Sequence, residues 1–382
     1  VQLKMGRIGW YTESGPLLEQ IAGAFDRATA PMQWPAYMFA TVGRESSFTL
    51  LFAADHSLVD GYSLIMAQHE LITLYRAARD RTDPALPEVG SYVDFSAQER
   101  RLADQTGADH PSVSTWTSFL KTGAGDMPAF QTPAANTAVD EPPDPAVDVP
   151  QESLSGVIVD DDSANRFTAV CSEAGGTLTA GILAAFAIVH HRRTGDREFR
   201  CVLPRHTRNE QRWLTALGWF VAVAPFCLDM SDSPTFDQAV ARATDELKRA
   251  RQGASLPFLR VADLIGYRGE PQFVISFIDT RYAPGAAEAD SGRATVIRSH
   301  SYARNEVFIW INRTPSGMRF SARFPRESHV GEVVGPTLIA DPEARTAPGV
   351  IAREEGPVHA YLHDFAEFVR SVGDASTFGS TV

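Results

Sequence analysis

Residues 48–61 read FTLLFAADHSLVDG, and this stretch decides the fold that we predict. Its apolar start predicts a buried strand, and a helical pattern follows over residues 63–67. His56 therefore stands at the end of a strand. A neutral imidazole accepts a proton near neutral pH, Asp60 can hold a ring nitrogen or a cation, and Gly61 allows backbone angles that a side chain forbids. The pattern H-x-x-x-D-G thus predicts a positioned base, with a turn that only caps a helix as the alternative.

The composition is that of an ordinary globular protein. A length of 382 residues suggests two or three domains or subdomains, and an apolar fraction of 44% is enough for large cores. The net charge of −12 argues against a nucleic-acid partner, because phosphate contacts need a basic surface. The three cysteines are scattered without zinc spacing, so we expect no metal and a cytoplasmic location. The longest apolar helix, residues 181–189, is shorter than the ~20 residues of a membrane span, so we expect at most peripheral membrane contact.

The first part of the chain mixes strands and helices. We predict strands at residues 37–42 and 49–52, joined by a polar turn, and helices at residues 17–25, 63–78 and 114–120. Prolines, alanines and acids dominate from residue 121 to 150, which is typical of a linker or a long surface crossover.

The second part repeats the mixed pattern. We predict strands at residues 199–204, 221–226, 273–277, 307–311 and 318–324, and helices at residues 181–189, 236–250 and 361–372. Three aspartates at residues 160–162 predict the start of a helix near Ala164, with a metal site as the alternative. Residues 329–356 read as a surface excursion, either a passive loop or a cover over an entrance.

The H-x-x-x-D-G run resembles the catalytic motif of the condensation-domain and chloramphenicol-acetyltransferase-like acyltransferases, whose usual form is H-H-x-x-x-D-G. Asp55 stands here in place of the first histidine. This Asp-His form resembles the polyketide-associated (Pap) acyltransferases of actinomycetes, which esterify hydroxyls of lipids, including trehalose glycolipids. Further segments resemble the same group in the same order: GSYVDF at residues 90–95, GILA at 181–184 with Thr194-Gly195, PRHTR at 204–208 with Gly218-Trp219-Phe220, and FVISFID at 273–279.

The resemblance implies an α/β (α+β) fold of two chloramphenicol-acetyltransferase-like subdomains, packed in a V with a tunnel at their interface. The implied division is an N-terminal subdomain at residues 1–120, a crossover at residues 121–160 and a C-terminal subdomain at residues 161–382. Because the motif lies much further from the amino terminus in that family, we expect the N-terminal subdomain to be incomplete. We expect a monomer.

The resemblance also implies an O-acyltransferase of the EC 2.3.1 type. The expected donor is a thioester, either acyl-CoA or acyl-phosphopantetheine on an acyl carrier protein or polyketide synthase, and we expect no bound cofactor. The expected acceptor is a hydroxyl of a lipid, glycolipid or natural product. His56 is the implied general base, and the main-chain N–H of Gly61 is a candidate donor to the oxyanion. No nucleophilic side chain is required, because binding both substrates together supplies proximity.

Asp60 has a structural role in this family, where it pairs with an arginine from the other half of the molecule. We predict Arg208 as that partner, with Arg205 as the second choice. The candidate tunnel residues are Asp55, Tyr62, Ser63 and Trp219, and a buried core position is the alternative for Trp219.

Two other functions remain open from the sequence. One is a peptide-synthetase condensation domain that forms amide bonds, which adenylation or carrier domains on the native chain would favour. The other is a catalytically silent domain that docks a carrier protein; the intact His56, Asp60 and Gly61 argue against it. Release of free thiol from an acyl thioester in the presence of an alcohol distinguishes the three.

Overall fold

A computed structural model describes residues 14–32, 34–131, 149–291, 296, 303, 305–325 and 356–378. The first part contains helix α1 (Ser14–Ala28), strands β1 (Tyr37–Gly43) and β2 (Phe48–Ala54), and helices α2 (Gly61–Asp80) and α3 (Tyr92–Gln105). β1 and β2 pair antiparallel with Phe39 opposite Phe52, which confirms the predicted hairpin. α2 begins two residues before its predicted start, because Asp60 caps it.

A six-stranded mixed sheet forms the second part. Its strands are β3 (Gln151–Asp160), β4 (Glu198–His206), β5 (Val221–Asp229), β6 (Phe273–Asp279), β7 (Val307–Thr314) and β8 (Gly317–Pro325). They lie in the order β3-β8-β7-β6-β4-β5. β6 runs parallel to both β4 and β7, and the other neighbours are antiparallel. The prediction of a mixed α/β fold is confirmed.

Helices cover both faces of this sheet. The larger core joins it to α5 (Asp161–Glu173), α6 (Leu178–Thr194), α7 (Phe236–Gly253) and α10 (Pro357–Phe378). The smaller core, on the opposite face, joins it to α4 (Pro111–Thr122) and α8 (Phe258–Ile265). A short helix, α9 (Ala286–Ser291), contacts α2.

The predicted apolar helix is α6, and it lies inside the larger core. Its residues are buried continuously from Ala180 to His190, because neighbouring elements surround it on every side. No described helix is long and apolar enough by itself to cross a membrane; α5 and α6 pass that test only as a pair bent by 92°.

The crossover implied for residues 121–160 was wrong from residue 151 onward, because residues 151–160 form β3. This strand lies at the edge of the sheet, and its apolar run is short, residues 157–159. Gly156 precedes that run and lies directly beneath the ring of Phe320. A Cβ at Gly156 would lie 2.7 Å from Phe320 Cε1. The predicted surface excursion lies outside the described residues up to residue 355. α4 packs against α7 and the larger sheet, so helix packing crosses the predicted boundary at residue 120.

Candidate active site

The turn after β2 places His56 at the surface. The carboxylate of Asp55 accepts hydrogen bonds from the main-chain N–H of Ser57, at 3.0 Å, and from the Ser57 hydroxyl. The N–H of Asp55 donates to the carbonyl of Ala36 at 2.8 Å, which ties the turn to the start of β1. Asp55, predicted as a tunnel residue, therefore uses its carboxylate to shape the turn that presents the histidine.

The hydrogen bond of His56 defines its tautomer. Its Nδ1 lies 2.6 Å from the carbonyl oxygen of Val59. A carbonyl only accepts hydrogen bonds, so Nδ1 carries the hydrogen and Nε2 of the neutral ring has a free lone pair. The indole of Trp219 meets the imidazole edge to face, with ring centroids 4.8 Å apart. The exposed imidazole is therefore oriented on two sides, with the nitrogen that can accept a proton left available.

Asp60 is buried at the amino end of α2 and joins the two parts of the molecule. Its side chain is 2% exposed and receives two hydrogen bonds from Arg208, at 2.6 and 3.0 Å. It also accepts the main-chain N–H of Ser63 at 2.7 Å and that of Phe220 at 3.0 Å. One carboxylate thus caps α2 and anchors the segment between β4 and β5.

The surroundings keep this carboxylate ionised. Burial by itself raises the pKa of Asp60, but the hydrogen bonds and positive charge of Arg208 and the two main-chain N–H donors outweigh burial and hold the pKa below its usual value. An ionised and fully hydrogen-bonded carboxylate has no proton to give. Asp60 therefore stabilises the site rather than carrying protons.

Arg208, and not Arg205, pairs with Asp60. The guanidinium of Arg208 also donates to the Ser63 hydroxyl at 2.9 Å, and its centre lies 4.4 Å from the centroid of the Phe220 ring. Arg205 is three residues earlier, on β4 opposite Ala222, and makes no ion pair with an acid among the described residues. β4 ends at His206, so Arg205 is fixed in the strand, whereas Arg208 lies in the following segment that reaches the amino end of α2.

The tunnel prediction was wrong for Ser63, which is completely buried. Its hydroxyl donates to the carbonyl of Gly218 at 2.8 Å and accepts from the N–H of Gly218 at 3.0 Å and from Arg208. Every hydrogen-bonding capacity of this hydroxyl is used inside the protein. Tyr62 is partly buried, and its ring faces the guanidinium of Arg208 at 5.1 Å. Trp219 is neither a core residue nor free in solvent: it is half-buried against His56.

The prediction that position 61 needs glycine for its backbone angles was wrong. Gly61 is the first residue of α2, and its φ is not in the left-handed region, so its backbone does not require glycine. A Cβ would meet Ile278 Cδ1 at 3.4 Å, which is ordinary contact. Its N–H and that of Tyr62 have no acceptor among the described residues, as is usual in a first helical turn.

Substitution Gly61→Ala is expected to leave the fold intact. The helix favours alanine over glycine by up to about 1 kcal/mol, so thermal unfolding should occur at the same or a slightly higher temperature. A decrease of more than a few degrees would show that the contact with Ile278 cannot adjust. Activity measured on the same variant reports whether the space above Gly61 is needed by substrate.

Three features of the site were missed from the sequence. They are the N–H of Phe220, the main chain of Gly218 and the ring of Tyr92, which packs against Gly218 and Phe220. All three lie more than 25 residues from His56 along the chain. In the sequence, the Gly-Trp-Phe segment at residues 218–220 and the Ser-Tyr-x-Asp-Phe segment at residues 91–95 indicate only a resemblance to the Pap acyltransferases. They do not indicate contacts with the site. No group of three or more histidine, cysteine or acidic side chains in the described ranges is arranged to hold a metal ion.

Residues 25–278 match the model of the condensation domain family. This is more than half of the chain, and the protein belongs to that family.

The chain is also similar to curated Pap acyltransferases of mycobacteria. It is 26% identical over 316 residues to acyltransferase PapA3 of Mycobacterium tuberculosis, a match that covers 81% of this chain and 65% of PapA3. It is 26% identical over 331 residues to trehalose-2-sulfate acyltransferase PapA2 of Mycobacterium bovis, covering 84% and 69%. The chain spans less than two thirds of PapA3 and 49% of PapA1, a 2'-acyl-2-O-sulfo-trehalose (hydroxy)phthioceranyltransferase.

Solved structures give the same assignment of fold. A PapA2 acyl transferase superposes with a TM-score of 0.74 at 20% identity, covering 94% of this chain and 72% of that one. The first condensation domain of the calcium-dependent antibiotic synthetase superposes with a TM-score of 0.61 at 14% identity, covering 93% and 74%.

Proposed function

We propose that this chain is an acyltransferase that moves an acyl group from a thioester to a hydroxyl, with His56 as the general base. One observation carries the proposal: the hydrogen bond from Nδ1 to Val59 leaves Nε2 of an exposed imidazole free to accept a proton. The names of the Pap relatives support an acyl acceptor of the trehalose type. The donor is acyl-CoA or an acyl group on a carrier protein.

The reaction needs one proton to move from the acceptor hydroxyl to His56 and then from His56 to the leaving thiolate. The acceptor hydroxyl gives its proton to Nε2 of His56 as its oxygen bonds to the thioester carbonyl carbon. The tetrahedral intermediate then breaks the carbon–sulfur bond, and the imidazolium returns the proton to the leaving thiolate. The products are an ester and a free thiol. General-base assistance of this kind contributes about 10²–10⁴ in rate, and no covalent enzyme intermediate is needed.

The amino end of α2 is the proposed site of oxyanion stabilisation. The N–H groups of Gly61 and Tyr62 have no acceptor among the described residues, and a helix amino end carries partial positive charge. We also propose that the two subdomains pack in a V with a substrate tunnel between them. The hydrogen bonds that Asp60 accepts from Arg208 and Ser63 accepts from Gly218 support it, because they join the first part of the chain to the second.

The test is thiol release from palmitoyl-CoA in the presence of trehalose, trehalose-2-sulfate or a simple primary alcohol. Thiol formation that depends on the alcohol, with an ester of the matching mass, supports the proposal. Absence of ester with CoA and carrier-bound donors alike contradicts it. The protein's own thiols interfere little, because burial raises the pKa of Cys171 and of Cys227 to about 12 and that of Cys201 well above its usual value.

The same assay distinguishes ester formation from the alternative function, amide formation. The likeness to the antibiotic-synthetase condensation domain favours including an aminoacyl acceptor among the substrates. Amide product without ester would move the assignment to that class, whereas binding of an acyl carrier protein with no product would identify a silent docking domain.

A further inference from the structure

We infer that Ser276 and Asn312 are acceptor-binding residues, and that their side chains form a polar patch on the large sheet beside the amino end of α2. The inference rests on the acyltransferase function proposed above. The patch binds hydroxyl groups of the acceptor that do not react, while His56 takes the proton of the hydroxyl that does.

One contact places this part of the sheet next to the candidate active site. A Cβ at Gly61, the first residue of α2, would lie 3.4 Å from Cδ1 of Ile278 on β6. Ile278 is paired with Asn312 on the parallel strand β7, and Ser276 lies two residues before Ile278. Paired residues of neighbouring strands, and residues two apart along one strand, point to the same face of a sheet. The side chains of Ser276, Ile278 and Asn312 therefore share the face that meets α2.

This face changes from apolar to polar along the two strands. Val274 on β6 lies in the smaller core, and Phe308, its partner on β7, packs against that core. Ile275 belongs to the larger core on the opposite face, as the alternation of a strand requires. Ser276 and Asn312 follow Val274 and Phe308 on the same face, toward the amino end of α2. The polar patch thus lies between the smaller core and the candidate active site.

The hydroxyl of Ser276 differs from those of the other buried serines. Among the described residues these are Ser63 and Ser112. Ser63 uses its hydroxyl in three hydrogen bonds, and that of Ser112 donates to the carbonyl of Gln252 at 2.6 Å. Ser276 is 7% exposed, yet its hydroxyl makes no hydrogen bond within the described part of the chain, and its oxygen is not fully enclosed. Because buried polar groups are normally paired, a hydroxyl of this kind is suited to a partner on a ligand.

Asn312 adds an amide to the patch. Its side chain is half-buried and has no hydrogen-bond partner in the ranges that the structure describes. The amide and the Ser276 hydroxyl can each both donate and accept a hydrogen bond, as a sugar hydroxyl can. From the spacing of strands and of residues along them, the two Cα atoms are about 8 Å apart. The two side chains can therefore bind different hydroxyls of one sugar ring, whereas an acyl chain offers neither of them a partner.

The test is Ser276→Ala, which removes the hydroxyl and leaves the rest of the residue in place. We expect KM for trehalose to rise about two- to tenfold, which corresponds to the loss of one hydrogen bond, with little change in kcat or in KM for palmitoyl-CoA. The unfolding temperature should not fall, because the hydroxyl has no described partner to lose. Asn312→Ala should raise KM for trehalose in the same way.

The matched control is Ser112→Ala, at a buried serine of α4 whose hydroxyl is hydrogen-bonded inside the protein. This substitution should lower the unfolding temperature and leave KM for trehalose unchanged, which is the reverse of the result for Ser276→Ala. If Ser276→Ala lowered the unfolding temperature and left KM unchanged, the Ser276 hydroxyl would be structural and the inference would be overturned.

A simple primary alcohol separates binding of the acceptor from binding of the donor. It carries only the hydroxyl that reacts, so neither Ser276→Ala nor Asn312→Ala should change its KM. A rise in KM for palmitoyl-CoA that is equal with trehalose and with the alcohol would overturn the assignment to the acceptor. The patch would then bind the amide groups of the donor's pantetheine arm.

Binding without turnover distinguishes this inference from the proposed function. Calorimetric titration with trehalose alone needs neither a donor nor a reaction. Weaker binding to Ser276→Ala and Asn312→Ala than to wild type supports the patch even if the protein forms no ester, a result that would contradict only the proposed function. Equal binding to the three proteins, or no binding to wild type, overturns the inference.

Discussion

Replacing His56 with alanine is expected to lower ester formation by about 10²–10⁴-fold while leaving the fold unchanged. The loss is large because Nε2 of His56 is the proton acceptor in the proposed reaction, and the buried Asp60 is ionised and fully hydrogen-bonded. The fold should persist because His56 is exposed and makes one hydrogen bond to its own turn. Steady-state kinetics of alcohol-dependent thiol release measures the first effect, and thermal unfolding measures the second.

A matched histidine provides the control for this substitution. His363 lies on α10, on the far side of the larger core, and His363→Ala should leave turnover unchanged. A His56→Ala protein that unfolds at the wild-type temperature and still forms ester at the wild-type rate would remove His56 from the mechanism. In that case the turn around His56 would have only a structural role, and a catalytically silent domain that docks a carrier protein would become the better hypothesis.

Short-range patterns were sufficient for the elements around the site. The hairpin, the helix after Asp60 and the buried helix α6 could be predicted because each depends on neighbours within a few residues: alternation in the strands, a cap at Asp60, an unbroken apolar run in α6. The edge strand β3 was not predicted, because Gly156 interrupts its strand pattern and the contact of that glycine with Phe320, 164 positions away, is not visible in local sequence.

The site itself needed information that a single sequence does not contain. The choice between Arg205 and Arg208 depends on where β4 ends, because Arg205 is still paired with β5 and Arg208 lies beyond the strand, next to Asp60. The hydrogen bond of Ser63 with Gly218 and the ring contact of Tyr92 with Phe220 join residues 155 and 128 positions apart. Periodicity indicates that such residues lie on an element but not which distant segment they meet.

The ion pair between Asp60 and Arg208 gives the largest expected effect on stability. Substitution Asp60→Ala leaves the guanidinium buried without its partner and frees the N–H groups of Ser63 and Phe220, so we expect the free energy of unfolding to fall by about 3–5 kcal/mol. Urea unfolding of purified protein measures it. The matched control is Asp232→Ala, which removes an equally well-formed but exposed pair with Arg242 and should change little.

A paired substitution tests whether the cost arises from the unpartnered charge. Asp60→Asn together with Arg208→Met removes both charges, so the double variant should be more stable than the sum of the two single losses predicts. Additive losses would show that the two side chains stabilise the protein independently. If Asp60→Ala left stability untouched but abolished activity, then Asp60 would belong to the chemistry and not to the scaffold.

The pH dependence of stability tests the same ion pair with the substitution Asp60→Asn, which keeps the size of the side chain and so creates no large cavity. The folded pKa of Asp60 lies below its usual value of 3.8, so the unfolded chain binds this proton more readily than the folded one. The contribution of the pair to stability is therefore complete above pH 3.8 and is lost as the pH falls through the folded pKa. Asp60→Asn removes that titration, so the difference in stability between wild type and Asp60→Asn should be constant near neutrality and shrink below about pH 4. A difference that stays constant into this acidic range would mean that the carboxylate contributes through its shape and hydrogen bonds, and not through the charge that holds Arg208 against α2.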